Sequence, residues 1–275
     1  MTTILYAVLV LGILGALFGV LLAIASHVFK VEQDPRIDQV VACLPGANCG
    51  GCGFPGCSGC AEAIVSGKAS VSACNVGGAE CAKKIAEIMG VEASPSVKLT
   101  AYVKCRGGDH AKRKYNYEGI QDCLAASKVA SSPLECAYGC LGFGSCTKVC
   151  DYDAIRIENG VAVVHADRCR ACGKCVAACP RHLISLEVDP FDIQISCSSH
   201  EKGITLRKIC DIGCIGCSLC AKKCPQEAIT IVDNLATIDY SKCNYCGECV
   251  SVCPRHLIIN ASETVCKTIE EEKQV

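Results

Sequence analysis

Two stretches of this chain space cysteine identically. Cys214, Cys217, Cys220 and Cys224, and again Cys243, Cys246, Cys249 and Cys253, follow C-x2-C-x2-C-x3-C, and each run ends in proline. Three thiolates at this spacing wrap one face of a [4Fe–4S] cube, and in two-cluster ferredoxins the fourth cysteine, before proline, ligates the other cluster. The spacing therefore joins Cys214, Cys217 and Cys220 to Cys253, and Cys243, Cys246 and Cys249 to Cys224. Structural zinc takes separated C-x2-C pairs or mixed cysteine and histidine sets, not reciprocal runs. The chemistry these residues carry is the transfer of single electrons.

A second set lies upstream. Cys169, Cys172, Cys175 and Cys179-Pro repeat the pattern, with Cys150 as the donated ligand. The partner site needs Cys140, Cys146, Cys179 and one more, but in "GCLGFGSCTKVC" Phe143 stands where the second cysteine belongs. Cys136, one helical turn before Cys140, is expected to substitute. Its counterpart Cys210 is then spare, as are Cys105, Cys123 and Cys197. These four are expected to hold a further cluster bridging the two sets; otherwise they pack as small apolar side chains.

Nearer the N-terminus, "NCGGCGFPGC" supplies Cys49, Cys52 and Cys57, and "SACNVGG" supplies Cys74. The surrounding glycines let backbone approach a cluster and donate N–H groups to its sulfurs. In "AECAKKIAEIMG", Cys81, Ile85 and Ile88 share one helical face, which makes Cys81 a core residue. Cys43, Cys60, Cys81 and Cys266 are left without metal. The expectation is six [4Fe–4S] clusters on 24 of the 28 cysteines, or five if the Cys105, Cys123, Cys197 and Cys210 site is empty.

The elements that hold these residues come in duplicate. Residues 150–184 lie over 224–258 without a gap, at an offset of 74. Within each copy, "AIRIENGVAVV" and "AITIVDNLATI" read as two short strands around a turn, and a helical turn follows each cysteine run. The fold class is α+β: a single N-terminal transmembrane helix, a small [4Fe–4S] domain, then tandem two-cluster ferredoxin-like modules. The expected divisions are an anchor at 1–30, an N-terminal [4Fe–4S] domain with its linker at 31–97, and a polyferredoxin region at 98–275. The two repeats of that region span about 123–184 and 197–258. Short linkers are read at 30–36 and 94–100, and a solvated tail at 267–275.

Met1 to Phe29 carries no charged side chain. Ile4 to Ala25 makes a helix of roughly 33 Å at about 1.5 Å per residue, enough to cross a hydrocarbon core of about 30 Å. It lacks a basic n-region and exceeds the ~7–15 residue core of a cleaved signal, so it reads as a retained anchor. Lys30 and Arg36 follow it, which puts the remainder on the cytoplasmic side of the inner membrane as a single-pass protein. Reduced metal-binding thiols suit that compartment. A net charge of −1 gives no field for nucleic acid. No phosphate-binding glycine loop follows a strand, and no nucleophile stands with a base, so catalytic residues are expected to be none. His182 and His256 fall in a repeated "PRHLI" and read as turn residues.

The order of a membrane helix, a "GANCGGCGFPGC" domain and a polyferredoxin tail resembles the B subunit of the Rnf complex, the ion-translocating ferredoxin:NAD oxidoreductase, in its long anaerobe form. The resemblance implies an electron-transfer subunit of a translocase, with soluble ferredoxin as donor and membrane and flavin subunits as partners. The pumped ion it implies is Na+ or H+. Competing readings are an iron–sulfur carrier of a hydrogenase-type or regulator-reducing complex, and a zinc-stabilised interaction protein.

Overall fold

The computed structural model of the protein describes residues 2–28, 34–92, 98–188 and 193–260. Cys266 and the tail lie outside the described residues, as do parts of both linkers.

The uncharged run forms helix α1 (Thr2–Val28). Its Val8–Ala25 window has a mean hydropathy of 2.9, and none of it is buried against the rest of the chain. Apolar side chains from Leu14, 49 % exposed, to Leu11, 71 % exposed, therefore face outward along the window. Water penalises such surface by about 25 cal/mol per Å²; hydrocarbon does not. Length and composition suit α1 to a bilayer.

Three helices form the next unit: α2 (Pro35–Cys43), α3 (Gly56–Val65) and α4 (Gly78–Met89). Asp34 caps α2 by accepting the Arg36 N–H at 2.9 Å, and Pro35 occupies the first turn, where no N–H is needed. Val40, Ile64 and Ile85 pack at the centre with Cys60 and Cys81.

The cysteine-rich region then folds as two like units. The first runs β1 (Leu99–Val103), α5 (Cys123–Lys128), α6 (Ser145–Lys148), β2 (Ile155–Glu158), β3 (Val161–Val164), α7 (Lys174–Ala178) and β4 (Ile184–Val188). The second runs β5 (Ile193–Ile195), α8 (Gly203–Ile209), α9 (Leu219–Lys223), β6 (Ile229–Val232), β7 (Leu235–Ile238), α10 (Glu248–Val252) and β8 (Ile258–Asn260). In each unit the outer strands pair antiparallel, β1 with β4 and β5 with β8, and the inner strands form a hairpin. Both hairpins turn on two residues with positive φ, Asn159 and Gly160 in one and Asp233 and Asn234 in the other. That is the two-residue turn whose twist matches the strands it joins.

Between Cys105 and Cys136 the first unit spends 30 residues, whereas the second spends 12 between Cys197 and Cys210. The eighteen additional residues carry α5 and Cys123. Just upstream, the Lys112 N–H donates to the Ile209 carbonyl at 2.8 Å, and the Asp211 N–H donates to the His110 carbonyl at 3.1 Å. Tyr102 and Ser196 share a hydroxyl hydrogen bond of 2.6 Å, and Ser198 Oγ donates to the Lys104 carbonyl at 2.9 Å. These bonds sew the two units into one body.

Candidate metal centres

Cys49, Cys52, Cys57 and Cys74 line one pocket at the N-terminal end of α3. Gly50, Gly53 and Gly56 have φ values of +70°, +84° and +78°, a region that side chains disfavour. Asn48 Oδ1 accepts the Cys57 N–H at 2.8 Å, and the Gly77 N–H donates to Cys74 Sγ at 3.4 Å. Cys60 faces the same pocket although only 1 % of it is exposed. Burial first, then the neighbouring Cys52, pushes its thiol up to about 12. The sequence leaves Cys60 without a role; the three-residue step from Cys57 along a helix is the available signal. Cys81 instead donates its S–H to the Cys43 carbonyl at 3.1 Å and packs in the helical core.

Cys150, Cys169, Cys172 and Cys175 line pocket B in the first ferredoxin-like unit. The Ala154 N–H donates to Cys150 Sγ and the Ala101 N–H to Cys169 Sγ, both at 3.4 Å. The N-terminal pocket abuts pocket B: Ala171 lines it, and a Cβ on Gly51 would stand 2.6 Å from the Cys172 carbonyl oxygen.

Pocket A differs from expectation. Cys140, Cys146 and Cys179 are joined there by Cys123, not by Cys136. Asp122 caps α5 by accepting the Ala125 N–H at 3.0 Å and accepts Ser145 Oγ–H at 2.6 Å, while Ser145 Oγ takes the Cys123 N–H at 2.7 Å. This network pins Cys123 beside α6. Phe143 turns away to pack at a tilt against Tyr117 of the additional segment, with ring centroids 5.1 Å apart.

Cys136 lines the bridging pocket with Cys105, Cys197 and Cys210. Cys136 and Cys123 thus exchange the places expected of them. The cause is the longer first unit: a gapless offset lays Cys123 over Cys197, whereas Cys105 is the residue that matches Cys197 in space. The pocket is made of two equivalent halves. The Gly107 N–H at 3.3 Å and the Cys140 N–H at 3.4 Å donate to Cys105 Sγ. The Ser199 N–H at 3.5 Å and the Cys214 N–H at 3.4 Å donate to Cys197 Sγ.

In the second unit Cys214, Cys217, Cys220 and Cys253 line pocket C as the spacing requires. Cys243 and Cys246 stand close enough to Cys249 to raise its thiol, and Cys224 and Cys243 pack against the core that holds Cys249; the region of these four is called site D. Cys217 and Cys246 are exposed. His182 and His256 are turn residues at φ 51° and 48°.

The donor sets fit [4Fe–4S] clusters. Burial pushes Cys105 and Cys146 up to about 12, and Cys197, Cys220 and Cys249 up to about 11. Gathered thiolates need positive iron to offset that cost, and the N–H groups aimed at sulfur are those that stabilise a cluster. Among the described residues no three His, Cys, Asp or Glu are arranged for a single metal ion.

Fold and site define a membrane-anchored protein that carries electrons on several [4Fe–4S] clusters. Family comparison agrees: residues 44–76 match an Fe-S cluster family, 162–185 a 4Fe-4S binding domain and 213–257 a 4Fe-4S dicluster domain. The chain is 44 % identical over 254 residues to the B subunit of the ion-translocating oxidoreductase complex of Methanosarcina acetivorans, covering 92 % of this chain and 96 % of the relative. It is 46 % identical over 260 residues to the B subunit of the Na(+)-translocating ferredoxin:NAD(+) oxidoreductase complex of Acetobacterium woodii, covering 94 % and 78 %. With the proton-translocating counterpart of Clostridium ljungdahlii it shares 40 % over 260 residues, covering 92 % and 91 %. This chain belongs to the B-subunit family of Rnf ion-translocating oxidoreductase complexes.

Proposed function

We propose that this chain is the electron wire of an ion-pumping ferredoxin:NAD oxidoreductase, taking electrons from reduced ferredoxin and delivering them to membrane subunits. The observation that carries this reading is contiguity. The N-terminal pocket touches pocket B at Gly51 and Cys172. Pockets A and B exchange ligands through Cys150 and Cys179. The bridging pocket takes an N–H from Cys140 of pocket A and from Cys214 of pocket C. Cys224 and Cys253 exchange between pocket C and site D by their spacing. Bound clusters supply one-electron redox chemistry over potentials of roughly −700 to +450 mV. The residues would hold them in a row, partly shielded from water at all sites but Cys217 and Cys246, and contribute no bond-making group.

Direction follows from exposure and tether. The exposed ligands Cys217 and Cys246 suit collision with a soluble donor, and the N-terminal pocket follows the anchor directly in the chain. Lys30 and Arg36 after α1 support a cytoplasmic side. The relatives' names divide between sodium and proton pumping. Ile4 to Ala25 offers no ionisable group suited to either path, so the partner subunits hold it. Six clusters give about 24 irons at four each. Anaerobic iron and sulfide analysis checks the count, and colourless zinc-loaded protein would overturn the reading. Cys49→Ala should block delivery to the membrane subunits while ferredoxin still reduces the remaining clusters. Delivery that survives this change would reverse the proposed direction. Co-purifying subunits separate this complex from a hydrogenase-type or regulator-reducing one.

A further inference from the structure

The two "PRHLI" turns carry equivalent arginines that are used differently. Arg255 donates Nε to the Gly213 carbonyl at 3.3 Å and Nη2 to the Cys210 carbonyl, clasping the loop between pocket C and the bridging pocket. Arg181 stands at the same place in the first unit. It lines pocket A beside Cys179, and its buried Nε has no hydrogen-bond partner among the described residues. A buried guanidinium donor without an acceptor is costly. Pocket A is also where four thiolates would concentrate negative charge.

We propose that Arg181 is a tuning residue that raises the reduction potential of the pocket A cluster relative to the same pocket without its charge. The inference rests on the reading of pocket A as a cluster site. On reduction the cluster takes one electron from its neighbour in the row, which is oxidised by one; no bond is made or broken and no proton need move. The site gains one negative charge, so a fixed positive charge at its edge favours the reduced state. The Nε–H has no acceptor among the described residues, so it would be free to donate to a sulfide of a bound cluster, which acts in the same direction. Arg255 likewise lines pocket C but directs its Nε and Nη2 donors to backbone, so the two units differ in whether the arginine keeps a free donor for its pocket.

The test is an anaerobic redox titration of the full chain followed by electron paramagnetic resonance, with iron and sulfide counted on the same samples. Arg181→Gln should keep the wild-type iron content and shift one cluster's wave to lower potential. Arg181→Lys, which keeps the charge, should restore most of that shift. A Gln variant with full iron whose titration overlays the wild type overturns the inference. Equal iron loss in the Gln and Lys variants also overturns it, because the role would then be structural. Wild-type protein without iron and sulfide would instead defeat the cluster reading beneath it.

Discussion

The Cys140 N–H donates to Cys105 Sγ at 3.4 Å, so the backbone of a cysteine lining pocket A solvates the sulfur of one lining the bridging pocket. Cys214 and Cys197 repeat this on the other side. Two ferredoxin-like units thus meet through sulfur, and each half of the bridge is supported by the pocket next to it.

The exchanged cysteines give the sharpest prediction. Cys136→Ala and Cys105→Ala should each remove about four irons, and the double variant should remove no more, because both belong to one site. Cys123→Ala combined with Cys105→Ala should remove about eight irons, four from each of two sites. Iron quantification on the purified variants decides it; a loss of about eight irons from the Cys105/Cys136 pair and of about four from the Cys105/Cys123 pair would restore the assignment expected from spacing.

Ser145 holds Cys123 in place at 2.7 Å and is itself held by Asp122. Ser145→Ala leaves the Cys123 N–H buried without an acceptor, at a cost of about 1–3 kcal/mol. Thermal unfolding should register that loss, and iron should leave pocket A before the others on mild chelation. Unchanged melting with unchanged iron would show that the network does not secure α5.

Gly51 faces the Cys172 carbonyl so closely that a Cβ would sit 2.6 Å from its oxygen. Backbone cannot yield there as a side-chain tip can. Gly51→Ala should destabilise by about 1–3 kcal/mol, keep its iron, and slow electron passage between pocket B and the N-terminal pocket. Rapid-mixing kinetics of cluster bleaching would reveal the slower phase.

Burial raises the Cys105 and Cys146 thiols from an ordinary value of 9.0 to about 12 and that of Cys197 to about 11. A group raised on folding stabilises fully below its unfolded pKa, and that contribution disappears as pH climbs through its folded pKa. The metal-free, reduced chain should therefore hold its melting temperature up to about pH 9 and lose it toward about pH 11–12. Melting that rises over this window would contradict the burial of these sulfurs.

Much of this is legible because iron ligation fixes sequence spacing. Cys214, Cys217, Cys220 and Cys253 meet in one pocket as their run dictates, and Asn159-Gly160 announces its hairpin through the φ values such a turn demands. Cys123 and Cys136 trade places because a gapless alignment cannot register an insertion, and the eighteen additional residues lie between the cysteines that match in space. Cys60 escapes notice because a thiol on a helix face looks like core; only the fold shows that it is both core and pocket wall. Arg181 cannot be told from Arg255 by sequence, since the motif around them is the same.

The cysteines that line each pocket are also laid down in an order that matters for biogenesis. As the ribosome proceeds, the N-terminal set is complete at Cys74, pocket B at Cys175, pocket A at Cys179 and the bridge at Cys210. Site D and pocket C close only at Cys249 and Cys253. The nascent chain therefore completes its sites in the order of the proposed row as far as the bridge, and then site D before pocket C. A chain interrupted after the bridge would carry a shorter but unbroken conductor.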